Sequence, residues 1–121
     1  MSISPHVLVV DDNRDGADGQ ALLLQCWGYE VRVAYDGPTA LELARTYHPA
    51  IVLCDLNMPG MEGYEVAQRL REGLQRVLLI AVTACSASAD FERAFAAGFD
   101  HYLVKPVDCD QVKRLLAAWE L

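Results

Sequence analysis

The sequence lacks several features that mark common protein classes. No apolar run is long enough to cross a bilayer, and residues 1–6 lack the basic and apolar regions of a signal peptide. Basic side chains are outnumbered, with 10 Lys and Arg against 17 Asp and Glu. The resulting net charge of -7 disfavours direct binding to nucleic acid, which needs a basic face. We therefore expect a cytoplasmic protein that contacts neither membrane nor DNA.

Familiar catalytic and metal-binding patterns are also missing. The four cysteines (Cys26, Cys54, Cys85 and Cys109) form no CxxC pair, so a zinc site is not indicated and reduced thiols are expected. No serine or cysteine stands with a base in the order of a catalytic triad, and the phosphate-loop pattern GxxxxGK[ST] is absent. Any chemistry must therefore come from other side chains.

The patterning of hydrophobic residues predicts five strands that alternate with five helices. The 121 residues allow one compact domain over 1–121, and 53% hydrophobic residues argue against disorder. Apolar runs predict strands at 6–10, 30–34, 50–54, 77–82 and 102–104. The second run alternates polar with apolar residues, which is typical of an edge strand. Right-handed crossovers then require a doubly wound parallel sheet with helices on both faces.

Helical spacing predicts the inner face of each helix. The first helix covers about 15–27 and ends at Gly28; Asp36 caps the second, with Pro38 in its first turn and Pro49 beyond its end. The last begins with Asp108 and Gln111 at the spacing of a capping box. The predicted inner faces are Ala17, Ala21 and Leu24; Ala40, Leu43, Ala44 and Tyr47; Gly63, Val66, Ala67 and Leu70; Phe91, Ala94, Phe95 and Gly98; and Val112, Leu115, Leu116 and Trp119.

Four of the predicted strands end in a polar residue. These residues are Asp11 with Asp12, Asp55, Thr83 and Lys105. Parallel strands end at one edge of a sheet, where ligands bind, so we expect one pocket. Two carboxylates ~4 Å apart repel by about 1 kcal/mol in water and about 4 kcal/mol at a surface-like dielectric. One lysine cannot offset three carboxylates, and oxygen ligands favour magnesium. In the alternative, Asp11 and Asp12 merely cap the first helix.

A carboxylate beside magnesium and a lysine fits phosphoryl transfer. Asp55 follows a buried strand and precedes the Pro59-Gly60 turn, so we predict that it accepts the phosphoryl group. Thr83 would hydrogen-bond the transferred group; the alternative is an ordinary strand residue.

The same residues resemble a known family, the receiver (phosphoacceptor) domain of two-component response regulators. The resemblance runs from His6 to about Trp119 and rests on five motifs in the family's order. These are Asp11-Asp12, Asp55 with Asn57-Met58-Pro59-Gly60, Thr83-Ala84, Ala97-Gly98, and Tyr102-Leu103-Val104-Lys105-Pro106. It implies a flavodoxin-like sheet of strand order 2-1-3-4-5 and a role in a phosphorelay.

The resemblance also implies residue roles. Asp55 would take phosphate from a phosphohistidine of a histidine kinase or phosphotransfer protein. Mg²⁺ would be held by Asp12, by Asp11 directly or through water, by Asp55 and by the backbone carbonyl of Asn57. The Ala84 backbone, Thr83 and Lys105 would bind the phosphoryl group, Tyr102 would turn inward, and Asn57 and Cys85 would flank the phosphate. The Lys105-Pro106 bond would be cis, and two copies would pair through the fourth helix, fifth strand and fifth helix.

Two other functions remain open. One is a magnesium-dependent phosphatase of the haloacid dehalogenase type, which also uses an aspartyl nucleophile but carries Asp-x-Asp near its N-terminus. Here the candidate nucleophile Asp55 is mid-chain and is followed by Leu56-Asn57. The other is a pseudo-receiver that only mediates protein contacts, against which the intact set of polar residues argues.

Overall fold

The computed structural model describes residues 5–74, 76–84 and 88–119 and shows a five-stranded parallel sheet covered by five helices. The strands are β1 (His6–Val10), β2 (Glu30–Ala34), β3 (Ile51–Asp55), β4 (Leu78–Thr83) and β5 (His101–Val104). The helices are α1 (Arg14–Cys26), α2 (Gly37–Tyr47), α3 (Gly63–Gly73), α4 (Ser88–Ala97) and α5 (Cys109–Trp119). The sheet order is β2-β1-β3-β4-β5, so the predicted fold class and strand order are confirmed.

Two hydrophobic cores lie on opposite faces of the sheet. Successive side chains of a strand point to opposite faces, and Leu8 belongs to one core while its neighbours Val7 and Val9 belong to the other. Helices α2, α3 and α4 cover the first core, and α1 and α5 cover the second. Strands β3 and β4 are buried along their whole length, which explains their continuous apolar runs.

Local signals fix the helix ends close to their predicted positions. The Asp36 carboxylate accepts the Thr39 N–H at 2.7 Å and caps α2. Gly28, at φ 95°, adopts the left-handed conformation just after α1. The capping box expected at α5 differs in detail, because the Asp108 carboxylate accepts the Asp110 N–H at 2.9 Å.

The predicted inner face of α4 is wrong for its two aromatic residues. Phe91 and Phe95 are 48% and 42% exposed, while Ala94 and Ala97 are buried. The two rings pack on each other with centroids 4.8 Å apart, so each ring buries part of its apolar surface against the other, outside the core. Four other residues predicted inside, Leu43, Gly98, Leu115 and Trp119, are only partly buried, and Gly98 follows the end of α4.

Candidate functional site

The predicted polar residues meet at the carboxyl edge of the sheet. Asp11 follows β1, Asp55 ends β3, Thr83 ends β4 and Lys105 follows β5. Backbone hydrogen bonds fix two of these positions, since the Asp11 N–H donates to Ala34 O at 3.1 Å and the Lys105 N–H donates to Thr83 O at 2.7 Å. The sheet therefore carries each of these side chains on a backbone that is itself paired.

Three carboxylates and one ammonium form the centre of the site. Asp11, Asp12 and Asp55 each offer an oxygen, and these oxygens all lie within 4.8 Å of one another. Asp11 and Asp55 are buried, whereas Asp12 is exposed. Lys105 Nζ lies 3.2 Å from Asp11 Oδ2 and 3.9 Å from Asp55 Oδ2. The cluster opens to solvent on the side of Asp12, and one lysine reaches both buried carboxylates.

Tight turns aim the two buried carboxylates. Asp11 Oδ1 accepts the Asn13 N–H at 3.0 Å, and Asp55 Oδ1 accepts the Asn57 N–H at 3.1 Å. Asn13, in turn, is the N-cap of α1 and accepts the Gly16 N–H at 3.2 Å. The alternative that Asp11 and Asp12 only cap this helix is therefore wrong, because Asn13 does so.

Burial changes the protonation of Asp55. Desolvation raises the pKa of its carboxyl to about 6, and the negative charge of Asp11 acts in the same direction. The Asn57 N–H and the Lys105 ammonium work against this rise in pKa by stabilising the carboxylate. The ionised form of Asp55 is therefore stabilised by positive charge near its carboxylate, which Lys105 supplies in part.

The donor set fits a hard divalent cation. All three clustered side chains offer carboxylate oxygens, which are ligands that Mg²⁺ prefers. Two of these carboxylates, Asp11 and Asp55, are buried, and both rely on the single ammonium of Lys105. The described residues show no grouping of three or more cysteine, histidine or acidic side chains besides this one. Asp11, Asp12 and Asp55 are therefore the side chains that could hold the ion.

Asn57 contributes a contact that the sequence reasoning missed. Its backbone carbonyl was expected to serve the metal, but its side-chain Nδ2 donates to Thr83 Oγ1 at 3.2 Å. This bond joins the segment leaving Asp55 to the end of β4. Because the amide side chain acts through its rotamer, no spacing in the sequence signals it.

The remaining predicted residues lie around this centre. Ala84 directly follows Thr83 and is exposed, and the Lys105-Pro106 peptide bond is cis. Tyr102 on β5 is half-buried, with its ring 5.4 Å from that of Phe91. Cys85, expected to flank the phosphate, lies outside the described residues. Cys54 is fully buried and burial raises the pKa of its thiol, so it is a small core residue.

Comparison with known proteins identifies the family. The sequence model of one protein family, the response regulator receiver domain, matches residues 7–117 of this chain. The chain is 37% identical over 113 residues to the sensor histidine kinase RcsC of Escherichia coli K12 and to the transcriptional regulatory protein TctD of Salmonella typhimurium. These matches cover 93% of this chain but 12% of RcsC and 50% of TctD. The chain thus spans half or less of these relatives.

Solved structures agree across nearly the full chain. A CheY-like receiver domain protein from Methanospirillum hungatei superposes with a TM-score of 0.89 at 26% identity, covering 98% of both chains. The chemotaxis protein CheY4 of Vibrio cholerae superposes with a TM-score of 0.88 at 28% identity, covering 96% of this chain and 98% of that one. The fold and site define a signalling domain. The chain belongs to the response regulator receiver domain family of two-component signal transduction.

Proposed function

We propose that Asp55 is the phosphoacceptor of this receiver domain. One observation carries the proposal. Asp55 lies in a cluster with Asp11 and Asp12 that is open to solvent at Asp12, and Lys105 Nζ lies 3.9 Å from Asp55 Oδ2. A carboxylate oxygen of Asp55 attacks the phosphorus of a phosphohistidine. The P–N bond breaks as the P–O bond forms, and the histidine leaves on the donor protein.

The residues around Asp55 have separate tasks. Asp11, Asp12, Asp55 and the Asn57 carbonyl would hold Mg²⁺, which would supply positive charge to neutralise the transferring phosphoryl group. Lys105 pairs with a phosphoryl oxygen and keeps Asp55 ionised. The Ala84 backbone N–H and the hydroxyl of Thr83, whose Oγ1 accepts a hydrogen bond from the Asn57 amide, bind the remaining oxygens. Tyr102 turns inward behind Thr83 when Thr83 binds the phosphoryl group, and so completes the switch.

The domain acts as a switch and not as an enzyme with an external substrate. Phosphorylation adds about -1.5 to -2 charge at the end of β3, and the surface built by α4, β5 and α5 responds. The domain assists its own phosphorylation and dephosphorylation, with residues 1–121 forming one receiver unit. The two functions differ in their prediction: a receiver takes up one phosphoryl group, whereas the phosphatase alternative predicts steady turnover of a phosphate ester.

The partners follow from the same chemistry. The phosphoryl donor is a histidine kinase or a histidine phosphotransfer protein in the cytoplasm. A second copy of this chain would pair on the α4-β5-α5 face, where Phe91, Phe95 and Val104 are 48%, 42% and 42% exposed. The acidic chain, with net charge -7, contacts no nucleic acid directly. In the described residues, no helix has the length and apolar character needed to span a bilayer.

The test is phosphorylation by acetyl phosphate with and without Mg²⁺, with the modified residue located by mass spectrometry. We expect one Mg²⁺-dependent phosphoryl group on Asp55 and none on the Asp55→Asn variant. Asp100→Asn is the matched control, because Asp100 lies at the far edge of the sheet before β5 and pairs with Arg71 at 2.9 Å. Uptake by Asp55→Asn would overturn the assignment. Failure to bind Mg²⁺ would favour a pseudo-receiver, and steady phosphate release would favour a phosphatase.

A further inference from the structure

Helix α4 is held to the domain by little apolar packing. Ala94 and Ala97 are its buried residues, and alanine side chains offer small contact areas. Between α3 and α4 runs a groove of about 670 Å³, lined mainly by polar side chains. Close packing is therefore replaced on this side of α4 by individual polar contacts.

Tyr64 makes most of these contacts. It lies in the first turn of α3 and is only 5% exposed. Its hydroxyl donates to Asp90 Oδ1 at 3.3 Å, and the guanidinium of Arg93 lies over its ring with Cζ 3.9 Å from the centroid. Arg93 also reaches Glu62, with Nη1 and Oε2 3.6 Å apart. We call Tyr64, Asp90 and Arg93 the α3-α4 clamp.

Exposure decides which of these links matters. The ion pair between Arg93 and Glu62 joins side chains that are 57% and 49% exposed, and such pairs contribute little. Tyr64 is itself buried and its hydrogen bond to Asp90 is partly buried, so the contacts of its ring and hydroxyl are screened less than this ion pair. Burial, with Asp90 acting in the same direction, raises the pKa of Tyr64 to about 12. The hydroxyl therefore remains a donor at physiological pH.

The clamp joins the two chain segments that leave the phosphorylation site. Tyr64 opens the helix that follows the loop after Asp55, and Asp90 lies in the first turn of the helix that follows Thr83. On its other side α4 contacts β5, where the ring of Phe91 lies 5.4 Å from that of Tyr102. Helix α4 is thus placed between Tyr64 and the predicted switch residue Tyr102.

We propose that the α3-α4 clamp holds α4 in the position seen here and sets how readily phosphorylation moves this helix. The inference rests on the proposed function, because the signal that opposes the clamp is the phosphoryl group on Asp55. In the arrangement described here, Thr83 Oγ1 accepts a hydrogen bond from the Asn57 amide. Tyr64 is a positioning residue and touches none of the reacting atoms.

Linkage gives the expected direction. If phosphorylation favours a displaced α4, then weakening the clamp favours the phosphorylated state, by at most the factor by which it shifts the equilibrium of α4. Tyr64→Phe removes the hydroxyl and its bond to Asp90 but keeps the ring under Arg93. Tyr47→Phe is the matched control, because Tyr47 is also buried and its hydroxyl donates at 2.9 Å to Glu30 O, on strand β2 and away from α4.

The first measurement is amide hydrogen exchange of residues 88–97 in the unphosphorylated protein without Mg²⁺. We expect exchange to be faster by up to about tenfold in Tyr64→Phe than in wild type or Tyr47→Phe, which is the effect of losing one partly buried hydrogen bond. Asp90→Asn should produce a smaller increase than Tyr64→Phe, because it retains an acceptor for the Tyr64 hydroxyl. Unchanged exchange in Tyr64→Phe would overturn the clamp.

The second measurement is the fraction phosphorylated at subsaturating acetyl phosphate with Mg²⁺. We expect a fraction several-fold higher in Tyr64→Phe than in Tyr47→Phe. Equal fractions would overturn the regulatory role even if α4 exchanges faster. If wild type takes up no phosphate, the proposed function fails and the regulatory role falls with it, whereas the exchange experiment still judges the clamp by itself.

Discussion

Lys105 Nζ lies 3.2 Å from Asp11 Oδ2, although the two residues are 94 positions apart in the sequence. The same ammonium is 3.9 Å from Asp55 Oδ2, so it bridges the ends of β1 and β3 from the end of β5. The sheet produces this meeting, because strands β1 and β3 pair in parallel register and β4 brings β5 alongside. One cation thereby offsets part of the repulsion between two buried carboxylates.

Replacing Lys105 should separate metal binding from phosphoryl transfer. In Lys105→Gln, we expect Mg²⁺ to bind more tightly, because a positive charge leaves the carboxylate cluster. The rate of phosphorylation by acetyl phosphate should fall roughly 100-fold, as is typical when a donor to the transferring group is removed. Calorimetry measures the first effect and mass spectrometry the second. Lys113→Gln is the control, since it removes the same charge from α5, where Lys113 lies over Trp27. Weaker Mg²⁺ binding in Lys105→Gln would contradict the prediction.

The stability of the metal-free protein should depend on the protonation of Asp55. Burial raises the pKa of this carboxyl to about 6 in the folded state, above its unfolded value of about 3.9. The folded protein therefore holds a proton that the unfolded chain has released. The stabilisation is fully present below about pH 4 and is lost as the pH rises through 6.

Chemical denaturation in EDTA measures this effect against Asp55→Asn, which has no titrating group at position 55. From pH 4.5 to 7.5, the free energy of unfolding of wild type should fall relative to that of Asp55→Asn by on the order of 2 kcal/mol. Adding Mg²⁺ at pH 7.5 should stabilise wild type more than the variant. A constant difference across this pH range would show that Asp55 titrates normally.

The sequence predicted the site better than its surroundings for a physical reason. Asp55, Thr83 and Lys105 follow apolar strands, and parallel pairing alone brings strand ends together. The position of Phe91 could not be predicted in this way, because its helical spacing fits the core while its ring packs instead on Phe95. The bond from Asn57 to Thr83 depends on one rotamer, which periodicity does not encode. Backbone topology was thus predictable, whereas the partners of individual side chains such as Phe91 and Asn57 were not.

Arg71 should be a larger contributor to stability than its position on a helix surface indicates. Its guanidinium donates to Val77 O at 2.9 Å, Gly98 O at 2.6 Å and Asp100 Oδ2 at 2.9 Å, and so ties α3 to β4 and to the turn before β5. Arg71→Gln should lower the free energy of unfolding by about 1–3 kcal/mol, because three carbonyl or carboxylate acceptors lose a charged donor.

Arg69 on the same helix provides the control for Arg71. Its pair with Glu65, 2.9 Å apart, joins side chains that are 57% and 45% exposed, so Arg69→Gln should change stability by less than about 0.5 kcal/mol. Urea denaturation of both variants gives the comparison. Equal losses would mean that the Arg71 contacts contribute no more than a surface pair.

Gly63 should tolerate a larger residue poorly, because it lies against the backbone of Asp55, the proposed phosphoacceptor. A Cβ atom there would come within 2.3 Å of Asp55 O and 2.8 Å of Leu56 Cα, neither of which can move without displacing Asp55. The close approach accompanies the hydrogen bond from the Gly63 N–H to Leu56 O at 3.0 Å. Gly63→Ala should therefore cost about 1–3 kcal/mol of stability, the usual range for overpacking.

The variant should also take up phosphate more slowly, because the same displacement misplaces the Asp55 carboxylate. Gly73→Ala on the same helix is the matched change, since a Cβ there meets no atom within 4 Å. It should leave phosphorylation unaltered and stabilise the helix by roughly 0.5 kcal/mol. Denaturation and acetyl phosphate labelling of the two variants decide the matter. If Gly63→Ala retains both wild-type stability and the wild-type labelling rate, Asp55 is not held by the close approach of α3.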